Sequence, residues 1–332
     1  VNGLTSPTSS ATHAPASPSS EISPAVIQVA GVEHRYGDRA ALQGVDLTVQ
    51  QGSIFALLGP NGSGKTTLFR LISTLMPLQK GQITVAGAEV RDVIEVRKRI
   101  GIVFQSPSLD KKLSVDENIA CQAALYGLSG AAFRKRRDEV LQALGLTDRR
   151  KEICEKLSGG LKRRVELAKG MLHRPRVLLL DEPSTGLDPG ARLDLWEALR
   201  SMAAEGMTIL LTTHLLEEAE KADQLAILAE GKIIANGTPD QLQAEMGDGL
   251  VTIHSEDPEA TEKLVQEKLG LKVQRVQQQI RIHSDRPADL VPKLAELLGE
   301  SARSITVGRP GLEDVFIAKT GHRFWSTSEA QE

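Results

Sequence analysis

A glycine-rich octapeptide, Gly59-Pro60-Asn61-Gly62-Ser63-Gly64-Lys65-Thr66, separates a short apolar run, Ser53 to Leu58, from a segment of helical periodicity, Thr66 to Leu75. No other feature restricts the fold of this chain as much. Successive apolar residues read as a strand buried on both faces. The helix that follows aims its free N-terminal amides at whatever the loop holds. Glycines let the backbone turn tightly enough for neighbouring N–H groups to point inward. The loop satisfies G-x-x-x-x-G-K-[ST], in the strand-to-helix context that a phosphate cradle requires. Lys65 supplies a point charge for β- and γ-phosphates, and Thr66 a hydroxyl for Mg²⁺.

Two further motifs extend this chemistry. Val177-Leu178-Leu179-Leu180-Asp181-Glu182 is an apolar strand with two carboxylates at its C-terminal end, where open α/β sheets bind ligands. Asp181 is suited to the Mg²⁺ shell, and Glu182 to polarising a water for attack on the γ-phosphate. Leu157-Ser158-Gly159-Gly160-Leu161 precedes a helix. Ser158 with two glycines makes an amide-rich anion site, although alone it reads equally as an ordinary serine cap.

Together these motifs resemble the nucleotide-binding subunit of ABC transporters, over about residues 26–240 and into the C-terminal region. Leu161 stands where that family most often has Gln, as in export-type members. Arg309-Pro310-Gly311-Leu312-Glu313-Asp314-Val315-Phe316 looks like the tail of export-type ATPases of the daunorubicin-resistance and ABC-2 kind. The resemblance implies roles residue by residue. Tyr36 would stack on adenine. Gly59 to Thr66 and the adjoining Thr67 would hold the phosphates of ATP. Gln105 would touch the Mg²⁺ and water shell, with Thr66 and Asp181. Ser184-Thr185-Gly186-Leu187-Asp188 matches the loop whose aspartate, Asp188, communicates across a dimer. His214 matches the switch histidine. Lys65, Gln105, Glu182 and His214 would carry catalysis. One chain holds one phosphate loop and one signature, so Ser158, Gly159 and Gly160 would face ATP held by a second copy, in a head-to-tail homodimer that closes on ATP.

The coarse element order places these motifs. Strands are expected at Val26 to Val32 and Ala41 to Val49, joined through the polar segment Glu33 to Arg39, and again at Gln82 to Val85 and Gly101 to Phe104. Ser114 with Glu117 forms a capping box that opens a helical insert, spanning about 106–173. Strand and helix then alternate to a helix opened by Thr238-Pro239. After Gly247-Asp248-Gly249 the order becomes βαββαβ, that of a ferredoxin-like module. The expected architecture is α/β: a P-loop core at 25–247 with, by the resemblance, an antiparallel β subdomain and an α-helical subdomain, then a small α+β module at 248–320. Residues 1–24 are rich in Ser, Pro, Thr and Ala and read as a disordered tail, as does 321–332.

Composition bounds the function. The 332 residues carry 40 Lys and Arg against 43 Asp and Glu, a net charge of -3. That balance gives no field for wrapping a polyanion, and 3% aromatics supplies few stacking platforms. Two cysteines, Cys121 and Cys154, exclude a disulfide framework and suit a reducing cytosol. No apolar run approaches the ~18 residues that a membrane span needs, and no signal peptide is visible. By the resemblance the expected setting is the cytoplasmic face of the membrane, with a separate permease as partner. Alternatives from other classes are an ABC-type ATPase working away from membranes and a regulatory nucleotide binder. The basic clusters Arg134 to Arg137 and Arg149 to Lys151 read as solvated helix faces, with anionic lipid or permease contact as the sharper option.

Overall fold

A computed structural model describes residues 24–247, 249–276 and 278–320, and Phe324. Both expected tails, apart from Pro24 and Phe324, lie outside the described residues. Those two are in place: the Pro24 carbonyl accepts the Gln51 N–H at 3.0 Å, and Phe324 is buried against Phe316, ring centroids 4.9 Å apart.

The central sheet has six strands in the order β10-β9-β3-β8-β7-β6: β3 (Ile54–Leu58), β6 (Ile100–Val103), β7 (Val177–Asp181), β8 (Thr208–Thr213), β9 (Gln224–Ala229) and β10 (Lys232–Gly237). All pairs are parallel except the β9–β10 edge hairpin. Every residue of β3, β7 and β8 is buried, as the apolar runs predict. Alternation assigns the side chains to two cores. Ile54, Ala56 and Leu58 join the helical side, while Phe55 and Leu57 pack toward the second sheet and α1 (Lys65–Ile72).

That second sheet is antiparallel, in the order β2-β1-β4-β5, from β1 (Ala25–Tyr36), β2 (Arg39–Gln50), β4 (Lys80–Val85) and β5 (Ala88–Glu89). Here the expected polar connection is corrected. Glu33 to Tyr36 continue β1 and pair with β2 down to Tyr36↔Arg39, around a two-residue turn with Gly37 at φ +56°. An antiparallel sheet with one solvated face accepts polar side chains there, and left-handed turn residues match strand twist. The extension carries Tyr36 and Arg39 to the mouth of the phosphate loop.

The helical insert holds α3 (Val115–Leu125), α4 (Gly130–Ala143) and α5 (Gly159–Met171), after α2 (Val93–Arg99). The expected capping box is present: the Ser114 N–H donates to Glu117 Oε2 at 2.7 Å, and the Glu117 N–H to Ser114 Oγ at 3.3 Å. The basic clusters are largely spent on internal ties. Arg136 donates to the Met171 and Leu172 carbonyls at the end of α5. Arg137 and Arg150 pair with Asp116 and Asp138, and Arg149 with Glu152. Those four guanidiniums favour the structural reading over a lipid-binding surface.

The helix α6 (Pro189–Ala204) lies between β7 and β8, and α7 (Leu216–Ala219) and α8 (Pro239–Ala244) follow later. The last part comprises β11 (Gly249–Ser255), α9 (Pro258–Leu269), β12 (Gln274–Val276), β13 (Gln279–Ser284), α10 (Pro287–Leu298), β14 (Ala302–Gly308) and α11 (Leu312–Thr320). Its sheet order, β12-β13-β11-β14 with antiparallel pairing throughout, is the ferredoxin-like arrangement that βαββαβ predicts. Helices α9 and α10 cover one face with an apolar core of Val251, Ile253, Ile280 and Ile282. On the other face Arg281 Nη1 meets Asp314 Oδ1 of α11 at 2.7 Å. Leu312, Val315 and Phe316 of α11 belong to the helical-side core of the central sheet, so one helix binds the C-terminal module to the rest. Asp314 also accepts the Gly311 N–H at 2.8 Å. Asp314 is the nearer and more buried of two carboxylates on the Arg281 guanidinium, Glu313 Oε2 lying 3.3 Å from Nη2, so its removal leaves a desolvated charge with its weaker partner alone. Asp314→Ala should therefore lower stability by about 3 kcal/mol, measurable by urea denaturation with hydrogen exchange followed on β13.

Candidate functional site

The loop after β3 is fixed by close approach. A side chain at Gly59 would sit 2.3 Å from the Leu228 carbonyl, and one at Gly64 2.6 Å from that of Ala41. Gly64 also adopts φ +111° as the cap of α1. The Gly59 N–H donates to the Thr213 carbonyl at 3.3 Å, which hangs the loop on β8. Lys65 is buried, with Nζ 2.8 Å from the Gly59 carbonyl and 3.1 Å from that of Pro60. Ser63 Oγ is buried without a hydrogen-bond partner among the described residues. Tyr36, Arg39, Asn61, Gly62, Lys65, Thr66, Thr67 and Glu182 line a groove of 320 Å³ over this loop. Tyr36 is half exposed at its mouth, its hydroxyl 3.3 Å from Met76 Sδ.

Strands β7 and β8 are parallel neighbours with Asp181 opposite Thr212. Their C-terminal ends therefore deliver the acidic pair and the histidine side by side. Asp181 accepts from Thr212 Oγ1 at 2.6 Å, and burial raises its pKa above the usual aspartate range. A bound cation would reverse that direction. The next residue turns sharply: Glu182 has φ +43°, a left-handed conformation that costs a non-glycine residue about 1 kcal/mol or more. Its N–H is held by Thr212, at 3.2 Å from the carbonyl and 3.0 Å from Oγ1.

The Glu182 carboxylate is the meeting point. His214 Nδ1 lies 2.9 Å from Oε2 and Lys65 Nζ 3.8 Å from Oε1. Gln105 Nε2 and Thr185 Oγ1 each approach Oε2 at 3.3 Å. Four residues selected from the sequence, Lys65, Gln105, Glu182 and His214, are thus brought together. Thr66 is exposed at the start of α1 and Thr67 is buried one residue on. The signature residues stand apart: Ser158, Gly159, Gly160 and Asp188 are not among the residues lining the groove. Ser158 caps α5 through the Leu161 N–H at 3.3 Å, and Asp188 caps α6 through that of Ala191 at 2.9 Å. The two turns pack together, since a side chain at Gly160 would fall 2.8 Å from Ala191 Cβ.

The described arrangement has known counterparts. Residues 42–185 match the family model for ABC transporters. The chain is 40% identical to the daunorubicin resistance ATP-binding protein DrrA2 of Streptomyces coeruleorubidus, over 92% of this chain and 98% of that one. The chain belongs to the ABC transporter family. This ABC protein binds ATP and hydrolyses it. It is also 36% identical to the Nod factor export ATP-binding protein I of Rhizobium johnstonii, again over 92% and 98% of the two chains. Among solved structures, cbiO1 of Clostridium perfringens, described as part of the ABC transporter complex cbiONQ, superposes with TM-score 0.63 at 30% identity, covering 74% of this ABC protein and 96% of that chain.

Several site residues of the ABC protein escaped the sequence reading. Arg39 lines the groove but sits in a polar hairpin with no pattern of its own. Arg163 and Glu166 of α5 form a buried pair, 3.3 Å apart. Arg163 donates to the Phe104 carbonyl at 2.7 Å, and Glu166 accepts from the Ser108 N–H, so the signature helix grips both ends of the Gln105 loop. Thr212 had a signal: a hydroxyl pair ending the apolar Ile209-Leu210-Leu211 run. Thr212→Val keeps the strand and the carbonyl that accepts the Glu182 N–H, but removes the hydroxyl that donates to Asp181 and accepts that N–H at 3.0 Å. Displacement of Glu182 by a fraction of an ångström should cost about tenfold or more in kcat, measurable by steady-state phosphate release.

Proposed function

We propose that this ABC ATPase powers export through a separate membrane permease, hydrolysing Mg²⁺-ATP at two sites shared by a head-to-tail homodimer. The observation that carries the hydrolytic reading is the convergence of Lys65, Gln105, Thr185 and His214 on the Glu182 carboxylate. In this reading the loop amides and Lys65 bind the β- and γ-phosphates, and Tyr36 stacks on adenine at the groove mouth. Glu182 orients the attacking water and draws off its proton, while His214 and Gln105 fix the carboxylate and meet the γ-phosphate end. The chemistry needs no covalent intermediate: positioning and charge neutralisation lower the barrier.

The donor set fits both ligands. The orphaned Ser63 Oγ, the loop amides and Lys65 suit a polyphosphate. Thr66, Asp181 and Gln105 would hold Mg²⁺, and the buried carboxyl of Asp181 is a group that a cation would stabilise in its charged form. The ion, when bound, supplies charge neutralisation on the phosphate oxygens. The dimer is inferred from incompleteness. The groove is lined by the phosphate loop, by Tyr36 and Arg39 of the β1–β2 hairpin and by Glu182, with nothing from the signature turn, while Ser158 and Gly159 present an exposed capped turn elsewhere on the surface. A second copy turned head to tail would bring that turn, with Gly160 and Asp188, to the γ-phosphate.

Export and a permease are supported by the relatives' described roles in daunorubicin resistance and Nod factor export, matched over nearly their full length. Nothing in those relatives favours an ABC ATPase working away from membranes. Among the described residues no helix is long and apolar enough to cross a membrane, so the path for cargo would lie in another chain. A second groove, 590 Å³ and lined by Leu75, Phe104, Ser108, Leu125 and Tyr126, lies between the Gln105 loop and the helical insert. Leu125 is 81% exposed and Leu75 47% exposed at its rim. An apolar rim around a groove suits a short helix of a permease at the cytoplasmic face of the membrane.

Two measurements test this. Glu182→Gln should abolish turnover while leaving ATP binding intact, and should trap a dimer on ATP, seen by size exclusion. A monomer that turns ATP over at the normal rate would refute both the base and the dimer. Leu125→Glu should leave the basal ATPase rate within about twofold, because Leu125 does not line the nucleotide groove, and abolish co-purification with a permease expressed together with it.

A further inference from the structure

Glu218 is a buried charge that the mechanism above does not use. It lies in α7, four residues after His214, and is 1% exposed. Among the described residues its carboxylate meets two hydroxyls and no cation. Its two oxygens are divided between two loops. Oε1 accepts from the Ser184 hydroxyl, two residues after Glu182. Oε2 accepts from Thr213 Oγ1 at 2.6 Å, one residue before His214. Thr213 is held in turn, because its Oγ1 accepts the Leu215 N–H at 3.0 Å. Its carbonyl accepts the Gly59 N–H at the start of the phosphate loop. Ser184 is itself buried, and its carbonyl accepts the Leu187 N–H at 3.0 Å. One carboxylate therefore stands where three site loops meet, yet touches neither groove nor reacting group.

Burying a carboxylate is costly unless its oxygens are well satisfied. Here the cost is met by two hydroxyl donors whose positions fix the two residues that face each other in the site. We infer that Glu218 is a positioning residue: a two-point tie that sets the loop after Glu182 against the loop of His214. The 2.9 Å approach of His214 Nδ1 to Glu182 Oε2 then survives when nucleotide enters and leaves. The tie also reaches the dimer side. Ser184 opens the Ser184 to Asp188 loop, so the Glu218 carboxylate couples what a second copy would press on with the switch histidine. This inference rests on the proposed roles of Glu182 and His214.

The chemistry of the tie separates it from a bulk structural role. Both partners are hydroxyls, which can rotate to donate or accept. Glu218→Gln preserves reach and can accept from Thr213 while donating to Ser184. Glu218→Asp keeps the charge but is one methylene short. Geometry as the requirement predicts that Gln works and Asp does not. On the purified full chain, Glu218→Gln should keep kcat within about threefold of wild type. Glu218→Asp should lose about 10- to 100-fold in kcat, the size expected for a misplacement near 1 Å. In both, the dissociation constant of a fluorescent ATP analogue should stay within about threefold. Ser184→Ala cuts one tie without touching the carboxylate and should lose kcat in the same sense. An Asp variant at the wild-type rate, a Gln variant as slow as Asp, or a kcat loss matched by lost nucleotide affinity would each overturn the tie. Glu182→Gln measured beside them separates the two readings: if it hydrolyses normally the assignment of the base fails, whatever the Glu218 series shows.

Discussion

The carboxylate of Glu182 is the constraint around which the catalytic part is arranged. It follows directly from a strand with no polar residue before Asp181, yet it must leave the sheet, turn, and meet groups from three separate segments besides Thr185 of its own turn. The left-handed backbone at Glu182 makes the turn, and Thr212 of the neighbouring strand holds it by its N–H. The parallel order β3-β8-β7 does the rest. Three adjacent strand ends deliver the phosphate loop, His214 and the acidic pair within reach of one another. A different strand order would leave the same motifs intact and the site unassembled.

The motifs that carry the chemistry were readable because backbone geometry restricts them. Glycine at 59 and 64 is dictated by carbonyl oxygens nearer than any side chain can stand. The buried strands showed as unbroken apolar runs, and the helix starts showed through Ser114 and Thr238, both of which form the complete capping box. The βαββαβ order was visible from periodicity and from Pro at the first helical positions, Pro258 and Pro287. What stayed hidden had weak local patterns and was decided by tertiary contact. Helix α2 buries only Val96, so it shows no apolar stripe. The polar end of the β1–β2 hairpin is held by cross-strand pairing. Phe324 looked like part of a tail because aromatic burial depends on a partner, Phe316, that sequence spacing does not reveal. Thr212 and Arg39 became site residues through neighbours distant in sequence, whereas Thr185 meets Glu182 within one turn.

The signature helix α5 shows how the two surfaces communicate. Its N-terminus carries Ser158 and the two glycines that the proposed dimer would offer to a second copy. Its buried face carries Arg163, Glu166 and Lys169. These hold the loop from Phe104 to Ser108 by its carbonyls, an N–H and a hydroxyl. Gln105, in that loop, reaches Glu182. Two opposite charges at 6% and 4% exposure are justified by what they grip, since an apolar pair of the same volume would pack as well but leave the loop carbonyls without donors. The loop and the helix also wall the groove lined by Phe104 and Leu125, so the proposed permease site and the Gln105 loop share the same ties.

The C-terminal module joins the same body by a different route. Its sheet offers Arg281 to α11, and α11 offers Leu312, Val315 and Phe316 to the helical-side core beneath β3 and β9. The module therefore cannot separate without stripping α11 either from its ion pair or from that core. Lys319 of α11 also reaches Glu245, just past α8, at 3.1 Å. An apolar anchor buried on one side and a desolvated ion pair on the other make α11 a bolt rather than a linker. The core in which the bolt seats also holds Ala219 of α7, in the segment that follows His214, so the module and that segment share one packed interior.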